Sequence, residues 1–190
     1  MPRADDLHSL PPDLPVPTDD GAADHLPGMV LPPVSLPATD GRTVTLAASP
    51  GRVVVYAYPR TGEPDGTTPA GWDAIPGARG CTPQSCAFRD HFRDLTDHGA
   101  SVFGLSTQDT AYQREAADRL HLPFPLLSDA DLAFAAALRL PTFETSGMAL
   151  LKRLTLIVRD GRVEHVFYPV FPPDRNAADV LAWLAAHPIA

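Results

Sequence analysis

The sequence predicts an α/β domain with a central mixed β-sheet flanked by helices, and three observations lead to this prediction. The apolar run at 53–59 is continuous, which is typical of a strand buried on both faces. Strand and helix patterns alternate after it, which favours parallel strands joined by helical crossovers. Two late strand patterns meet at Asp160-Gly161, a dipeptide that favours a tight antiparallel hairpin.

The chain begins with an arm that has no helix or strand period. Residues 1–28 are rich in proline and aspartate, and we expect them to be loosely ordered and laid over the surface. The domain itself is expected to span residues 29–190. It should open with an N-terminal β-hairpin whose strands lie at 34–37 and 44–46.

The remaining elements are predicted from periodicity and from helix-end signals. A glycine- and proline-rich loop at 60–80 leads into a helix that carries both cysteines. Ser128, with Asp131 three residues later, is expected to cap one helix, and Asn176 is expected to cap the last. Residues 140–151 are expected to form a loop. Strands are also predicted at 100–106, 153–158 and 163–170. Helices are predicted at 111–120, in a segment that includes 132–138, and in a last segment that includes 180–184.

Composition limits the classes of partner. The net charge of −8 and the pI of about 5.2 argue against nucleic acid or an anionic membrane as the main partner. No segment approaches the ~20 apolar residues of a membrane span. No apolar core follows Met1-Pro2-Arg3, so we expect no secretory signal and favour a cytoplasmic location, where thiols stay reduced.

Metal and cofactor chemistry are not indicated. The seven histidines show no ligand spacing, and Cys-x4-Cys is longer than the usual spacing of a structural zinc site. The sequence has no glycine-rich phosphate loop and no Ser/His/Asp signature. We therefore expect neither a metal nor a cofactor.

The two cysteines, Cys81 and Cys86, lie at the start of a predicted helix. Thr82 is a good N-cap and Pro83 suits the first helical position, which puts Cys81 at the helix mouth, where an anion such as a thiolate is favoured. Cys81 projects onto the same face as Phe88, two turns later, and Cys86 projects elsewhere.

On an intact helix the Cα atoms of Cys81 and Cys86 exceed the ~7 Å limit for a disulfide, so the two can bond only if the first turn unwinds. This favours a redox cycle with local unfolding over a permanent crosslink. A plainer interpretation stays open for each cysteine. Cys81 could be an inert core cysteine. Cys86 could be a free surface thiol, in which case another molecule would resolve the sulfenic acid.

Residues 80–90, GCTPQSCAFRD, resemble the active-site segment of peroxiredoxins of the bacterioferritin comigratory protein type, also called peroxiredoxin Q. In that family the first cysteine attacks a peroxide and the second resolves the sulfenic acid. The resemblance implies a thioredoxin-like fold. It extends from about residue 30 to residue 187 and includes the segments 53–59, 104–107, 126–129, 153–157 and 163–167.

Carried onto this sequence, the resemblance makes Cys81 the peroxidatic and Cys86 the resolving cysteine, joined as an intramolecular disulfide. It implies hydrogen peroxide and small organic hydroperoxides as substrates, thioredoxin or a similar dithiol as reductant, and a monomer. Arg153 matches the family arginine, whose guanidinium would stabilise the thiolate and orient the peroxide. A solvated arginine at the strand edge is the plainer interpretation of Arg153.

The sequence departs from the family before Cys81. The family has a threonine three residues before the peroxidatic cysteine, where this chain has Ala78. Pro59 matches the family proline if 60–80 loops out, and Pro59 and Gly80 are expected to contact substrate. The threonines that could fold back in place of the missing one are Thr61, Thr67 and Thr68.

A second function, from another class, stays open. The Cys81–Cys86 disulfide could switch a partner surface in a redox-sensing or interaction protein with little peroxidase turnover. The missing threonine and the loop at 60–80 motivate this alternative. Trp72 in the loop is either an apolar lid or simply a packing residue.

Overall fold

The structure is a computed structural model and describes residues 7–189. Strands and helices alternate along the chain after a short N-terminal hairpin. The strands are β1 (Leu36–Pro37), β2 (Thr43–Val44), β3 (Arg52–Ala57), β4 (Ala100–Ser106), β5 (Leu126–Ser128), β6 (Thr142–Thr145), β7 (Met148–Leu151), β8 (Leu154–Arg159) and β9 (Arg162–Phe167). The helices are α1 (Cys81–Asp90), α2 (Phe92–Asp97), α3 (Thr110–Arg119), α4 (Ala133–Leu138) and α5 (Asn176–Ala186).

Five strands form the central sheet in the order β5-β4-β3-β8-β9. β3, β4 and β5 are parallel, whereas β8 is antiparallel to both β3 and β9. β1 and β2 form a separate antiparallel hairpin. The predicted α/β class, the mixed sheet and the N-terminal hairpin are confirmed.

β3 is buried along its whole length because structure covers both faces of the sheet. Successive strand residues point to opposite faces. Val53 and Val55 face a core that includes the N-terminal hairpin and α4. Val54 and Tyr56 face a core that includes α1, α2 and α5. This burial on both faces explains the uninterrupted apolar run. It also holds in place the end of β3 from which the loop at 60–80 begins.

The helical segment after that loop is broken once. α1 ends at Asp90 and α2 begins at Phe92, so His91 interrupts the predicted helix. The ring Nδ1 of His91 lies 2.9 Å from the Ala87 carbonyl oxygen, which also accepts the His91 backbone N–H. The break leaves Phe88 buried, which keeps the predicted apolar face against the sheet.

Ser128 does not cap a helix, which corrects the prediction. It is the last residue of β5, and its hydroxyl donates to the Gln108 carbonyl oxygen at 2.6 Å. Asp129 accepts instead from the backbone N–H groups of Phe134 and Ala135, at 2.9 and 2.8 Å. The N-cap position of α4 is Leu132, so the helix begins further along than its sequence signal indicates, and the Asp129 carboxylate reaches its first turn from three residues before that position.

Residues 140–151 form a hairpin and not the predicted loop. β6 pairs antiparallel with β7 across Ser146 and Gly147, which have φ values of 50° and 75°. Positive φ at both turn positions matches the twist of a two-residue hairpin. Leu150 packs against Trp72 and Ala78, so this hairpin supports the loop at 60–80.

The arm lies against the domain along its described part, residues 7–28, while residues 1–6 lie outside the described residues. Leu26 is fully buried. The Asp20 carboxylate accepts from Lys152 Nζ at 2.7 Å and from the Tyr168 hydroxyl at 2.8 Å. These two hydrogen bonds hold the pKa of Asp20 well below its usual range. The loose ordering of the arm and its boundary at residue 28 stay predictions.

Candidate active site

Cys81 is the first residue of α1 and its side chain is buried. Gly80 is the N-cap, with a left-handed φ of 107° that turns the chain into the helix. The predicted helix-mouth position of Cys81 is therefore confirmed. The start signals expected at Thr82 and Pro83 are wrong, because the left-handed turn at Gly80 begins the helix earlier.

Arg153 points at the thiol of Cys81. Its Nη2 donates to the Sγ atom at 3.2 Å, and the side chain is only 3% exposed. It lies directly before β8, beside the end of β3. The guanidinium also donates to three consecutive loop carbonyls, those of Gly77 at 3.3 Å, Ala78 at 3.1 Å and Arg79 at 3.2 Å.

No carboxylate among residues 7–189 forms an ion pair with Arg153. Carbonyl oxygens satisfy its N–H groups but do not neutralise its charge. A buried cation beside a thiol favours the thiolate, since a nearby opposite charge stabilises the ionised form. The arrangement therefore suits Cys81 to act as a nucleophile.

A chain of buried hydrogen bonds holds Arg153 in place. Its Nη1 donates to Gln84 Oε1, and Gln84 Nε2 donates to Asn176 Oδ1 at 3.0 Å. The Thr155 hydroxyl donates to the same oxygen at 2.6 Å. Asn176 is not the helix cap that the sequence suggested. The cap position is Arg175, and the Asn176 amide oxygen is committed to this network.

Gln84, Asn176 and Thr155 are residues of this site that were not predicted from the sequence. For Thr155 a signal was present, because strand alternation puts it on the same face as Arg153. Gln84 is a long polar side chain in the first, buried turn of α1, which also required a partner. No local pattern connects it to Asn176, 92 positions later.

Cys86 lies five residues after Cys81 on a fully wound α1, and both thiols are free. It is half-buried. Burial raises the pKa of the Cys86 thiol, and the positive charges of Arg89 and Arg119 oppose this rise. The wound helix is the geometry in which the two sulfurs cannot bond directly. A disulfide between them therefore requires α1 to change.

The phenols near the site do not compete for the negative charge. Tyr56 and Tyr58 are fully buried on the α1 side of β3. Burial raises the pKa of Tyr56 and the pKa of Tyr58 well above the usual range. Both phenols therefore stay neutral at neutral pH.

A cavity of about 290 Å³ opens beside Cys81, formed mainly by the loop at 60–80. Thr67 and Thr68 line it. Thr61 is not among the lining residues, and its hydroxyl donates to Gln108 Oε1 at 3.3 Å. Of the three candidate threonines, Thr67 and Thr68 are therefore the two that share a cavity with the thiol.

The other predicted contact residues occupy different places. Gly80 lines the cavity, whereas Pro59 is buried and is not part of the lining. Trp72 packs within the loop, and its role as an apolar lid stays a prediction. It is 6% exposed, its ring lies 6.2 Å from that of Phe143, and it also forms part of the cavity wall. The functional roles of Pro59 and Gly80 stay predictions.

Between residues 7 and 189, no cluster of three or more histidine, cysteine, aspartate or glutamate side chains could hold a metal ion. No helix in that range is both long and apolar enough to cross a membrane.

Comparison with known proteins gives consistent matches. The family model for redoxin matches residues 26–181. The chain is 32% identical over 165 residues to peroxiredoxin Bcp of Escherichia coli strain K12, covering 84% of this chain and 96% of that protein. It is 31% identical over 155 residues to the chloroplastic peroxiredoxin Q of Oryza sativa subsp. japonica, covering 81% of this chain. The match spans only 64% of the length of that plant relative.

Solved structures agree with these matches. Peroxidoxin BcpB from Mycobacterium tuberculosis is similar with a TM-score of 0.69 and 29% identity, covering 87% of this chain and 100% of that one. Peroxiredoxin Q from Xanthomonas campestris has a TM-score of 0.64 and 23% identity, covering 92% and 98%, a likeness of fold. The predicted thioredoxin-like fold is thus confirmed. The chain belongs to the redoxin family and, within it, to the peroxiredoxins of the Q and Bcp type.

Proposed function

We propose that this chain is a thiol-dependent peroxidase whose nucleophile is Cys81. The observation that carries the proposal is the 3.2 Å contact between the buried guanidinium of Arg153 and the Sγ atom of Cys81. The guanidinium and the free N–H groups of the first helical turn both favour the thiolate, which is the reactive form. Membership of the peroxiredoxin Q and Bcp type supports the same chemistry.

In the first step the Cys81 thiolate attacks one peroxide oxygen, so that an S–O bond forms and the O–O bond breaks. The electron pair of the O–O bond leaves on the distal oxygen, which takes up a proton and departs as water or an alcohol. The sulfur is oxidised to a sulfenic acid and the peroxide is reduced. Arg153 stabilises the charge that develops on the oxygens.

In the second step Cys86 attacks the sulfenic sulfur after the first turn of α1 unwinds. An S–S bond forms, and the sulfenic hydroxyl leaves and becomes water. A dithiol such as thioredoxin then reduces the disulfide by thiol exchange. We assign this intramolecular cycle to a cytoplasmic monomer that uses two cysteines.

The proposed substrates are hydrogen peroxide and small organic hydroperoxides. The cavity of about 290 Å³ beside Cys81 has room for an organic substituent as well as the peroxide group. A bacterioferritin comigratory protein of Xanthomonas campestris is described by its alkyl peroxide reduction activity. Thr67 or Thr68 supplies the hydroxyl that Ala78 lacks, and Gly80 contacts the substrate in the cavity, whereas Pro59, which lies outside the lining, acts only indirectly.

The test is to mix the reduced protein with hydrogen peroxide in stopped flow and then to map the product by mass spectrometry. We expect oxidation much faster than that of a free thiol at the same pH, a Cys81–Cys86 disulfide, and its reduction by thioredoxin. Cys81→Ser should abolish turnover. Substantial activity in that variant, or a rate no faster than that of a free thiol, would remove the proposal.

A second candidate is a redox switch with little peroxidase turnover, and Ala78 is the observation that favours it. No hydroxyl is present at that position, and the loop at 60–80 forms most of the cavity beside the thiol. Slow peroxide oxidation, combined with a partner that binds only one redox form, would support this function. Rapid oxidation without such a partner would eliminate it.

A further inference from the structure

The N-terminal arm reaches the cavity beside the candidate nucleophile. Leu7 is part of the cavity lining, and its Cδ2 atom lies 3.3 Å from the position that a Cβ atom would take at Gly62. Leu10 packs on Gly80, directly before the start of α1, with its Cδ2 atom 2.8 Å from the corresponding Cβ position. The arm therefore contacts the loop at 60–80 near both of its ends.

Contacts further along the arm attach it to the same part of the domain. Pro17 packs against Gly77, with its Cβ atom 3.6 Å from the Cβ position at that glycine. The Asp20 carboxylate follows, and it accepts hydrogen bonds from Lys152 Nζ and from the Tyr168 hydroxyl. The start of the arm is therefore held at the cavity by attachments along its length.

The part of the arm that makes these contacts precedes the segment shared with the family. The match to the redoxin family model begins at residue 26. Leu7 and Leu10 lie before that residue, although both contact the loop that forms the cavity. Membership of the family therefore does not account for this part of the cavity wall.

Leu7 places an apolar surface in a lining that also carries charges. The charged residues of the lining are Arg60, Glu63, Asp73 and Arg79, and Arg79 donates to the Asp73 carboxylate at 3.0 Å. The Leu7 side chain is only half-buried, so a molecule in the cavity can cover the rest of it. Such a surface favours a ligand with an apolar group that gains free energy by leaving water. An organic hydroperoxide carries such a group, whereas hydrogen peroxide does not.

We propose that Leu7 is a specificity-determining residue, which contacts the apolar substituent of an organic hydroperoxide while the peroxide group meets Cys81. Leu10 is a positioning residue that holds the arm over Gly80. The inference rests on the proposed function, because it assumes that Cys81 reacts with peroxides. Leu7 contributes binding of the substituent and takes no part in breaking the O–O bond, so the reaction with hydrogen peroxide does not depend on it.

The experiment measures the second-order rate constant for oxidation of the reduced protein in stopped flow. The three oxidants are hydrogen peroxide, tert-butyl hydroperoxide and cumene hydroperoxide. In Leu7→Ala the rate constant for cumene hydroperoxide should fall about fivefold, because apolar contact area is lost. The rate constant for tert-butyl hydroperoxide, whose apolar group is smaller, should fall less. The rate constant for hydrogen peroxide should equal that of the parent.

Three further variants separate the apolar contact from a general effect on structure. Leu7→Met keeps an apolar side chain of similar size and should retain the preference of the parent. Leu7→Asn is also similar in size but polar, and it should behave like Leu7→Ala. Val16→Ala is the matched control, because it truncates an exposed side chain of the same arm that is not among the residues lining the cavity.

Leu10→Ala tests the positioning role. It should lower the ratio of the cumene hydroperoxide rate constant to the hydrogen peroxide rate constant, as Leu7→Ala does, because the arm is less firmly held over Gly80. A purely structural role of Leu10 would slow all three peroxides together and leave this ratio unchanged.

The outcomes separate this inference from the proposed function. Equal changes for all three peroxides in Leu7→Ala would overturn the inference, as would a ratio equal to that of Val16→Ala. A faster reaction of Leu7→Ala with cumene hydroperoxide would also overturn it, since the arm would then obstruct the substituent. Slow reaction of the parent with every peroxide would contradict the proposed function. Fast reaction with the same preference in every variant would contradict this inference alone.

Discussion

Arg153 is a buried cation whose position is fixed by groups from several parts of the chain. Three loop carbonyls, Gln84 and the Cys81 sulfur accept its N–H groups. A lysine ammonium is compact and cannot satisfy so many acceptors in one plane. The planar fork of arginine is therefore what this position requires, and its charge is what the proposed thiolate would require.

Replacing Arg153 with Gln should slow the oxidation of Cys81 by hydrogen peroxide about 100-fold, because a preorganised donor to the reacting atoms is lost. Arg153→Lys should be intermediate, since it keeps the charge and loses the geometry. Lys152→Gln is the control, because that side chain pairs with Asp20 away from the thiol. Second-order rate constants from stopped flow test this ranking of the variants. A rate constant for Arg153→Gln within threefold of the parent would contradict the prediction.

At the scale of elements, the start of α1 depends on one glycine. Gly80 has a left-handed φ of 107°. A Cβ atom there would collide with Pro173 and would lie 2.8 Å from the Leu10 Cδ2 atom. Both neighbours belong to segments packed over the start of α1. A side chain at residue 80 would therefore meet these segments in addition to straining the backbone. Gly71 has a similar φ of 73° with nothing within 4 Å of its Cβ position.

This contrast gives a matched pair of variants. Gly80→Ala should lower the free energy of unfolding by about 3 kcal/mol, since backbone strain and overpacking add. Gly71→Ala carries the strain alone and should cost about 1 kcal/mol. Urea titrations followed by circular dichroism measure both values. Equal losses in the two variants would show that the packing around Gly80 yields freely.

The elements that the sequence analysis placed correctly are those whose signal is local. β3, β4 and α3 follow from apolar runs and periodicity, and the β8–β9 turn follows from Asp160-Gly161. The β6–β7 hairpin was missed because its strands are short and only partly buried. Asn176 was misassigned because tertiary partners on β8 and α1 outweigh its preference for a cap.

The same reasoning applies to the site. Cys81 and Arg153 were found from helix-start chemistry, strand alternation and a family resemblance, and the structure brings them together. The hydrogen bonds from Arg153 through Gln84 to Asn176 could not be inferred, because they join residues far apart in the chain. The choice among the loop threonines likewise depended on how the loop at 60–80 folds.

At the scale of the whole molecule, the end of the sheet opposite Cys81 is held by stacked rings. Trp183 stacks on His165 and His187, with centroid distances of 5.0 and 4.1 Å. The Arg52 guanidinium lies 5.2 Å from the Trp183 ring and also bonds the His187 carbonyl oxygen at 2.7 Å. Burial, with the neighbouring His187, lowers the pKa of His165.

This lowered pKa predicts a loss of stability in mild acid. The unfolded chain binds a proton at His165 near the ordinary value of 6.5, whereas the folded chain does so only at lower pH. The free energy of unfolding should therefore fall as the pH drops below about 6.5. His165→Gln should flatten this dependence, and His98→Gln, at an exposed position directly after α2, is the control. Urea titrations from pH 5 to 8 measure the free energy of unfolding at each pH. The same pH dependence in the parent and in His165→Gln would contradict the prediction.

The loop at 60–80 is clamped at both of its ends by residues that lie outside it. Gln108 and Arg119 hold its first residues, and Arg153 holds the carbonyl oxygens of residues 77–79 near its end. The segment between them, 63–76, can therefore be replaced by one of different length at a small cost in stability, because the entropy of closing a loop changes slowly with its length. A graft there that keeps Thr67 and Thr68 should change the shape of the cavity while Cys81 and Arg153 keep their positions. The size of a molecule that fits beside the thiol can therefore be altered without rebuilding the contact between the sulfur and the guanidinium.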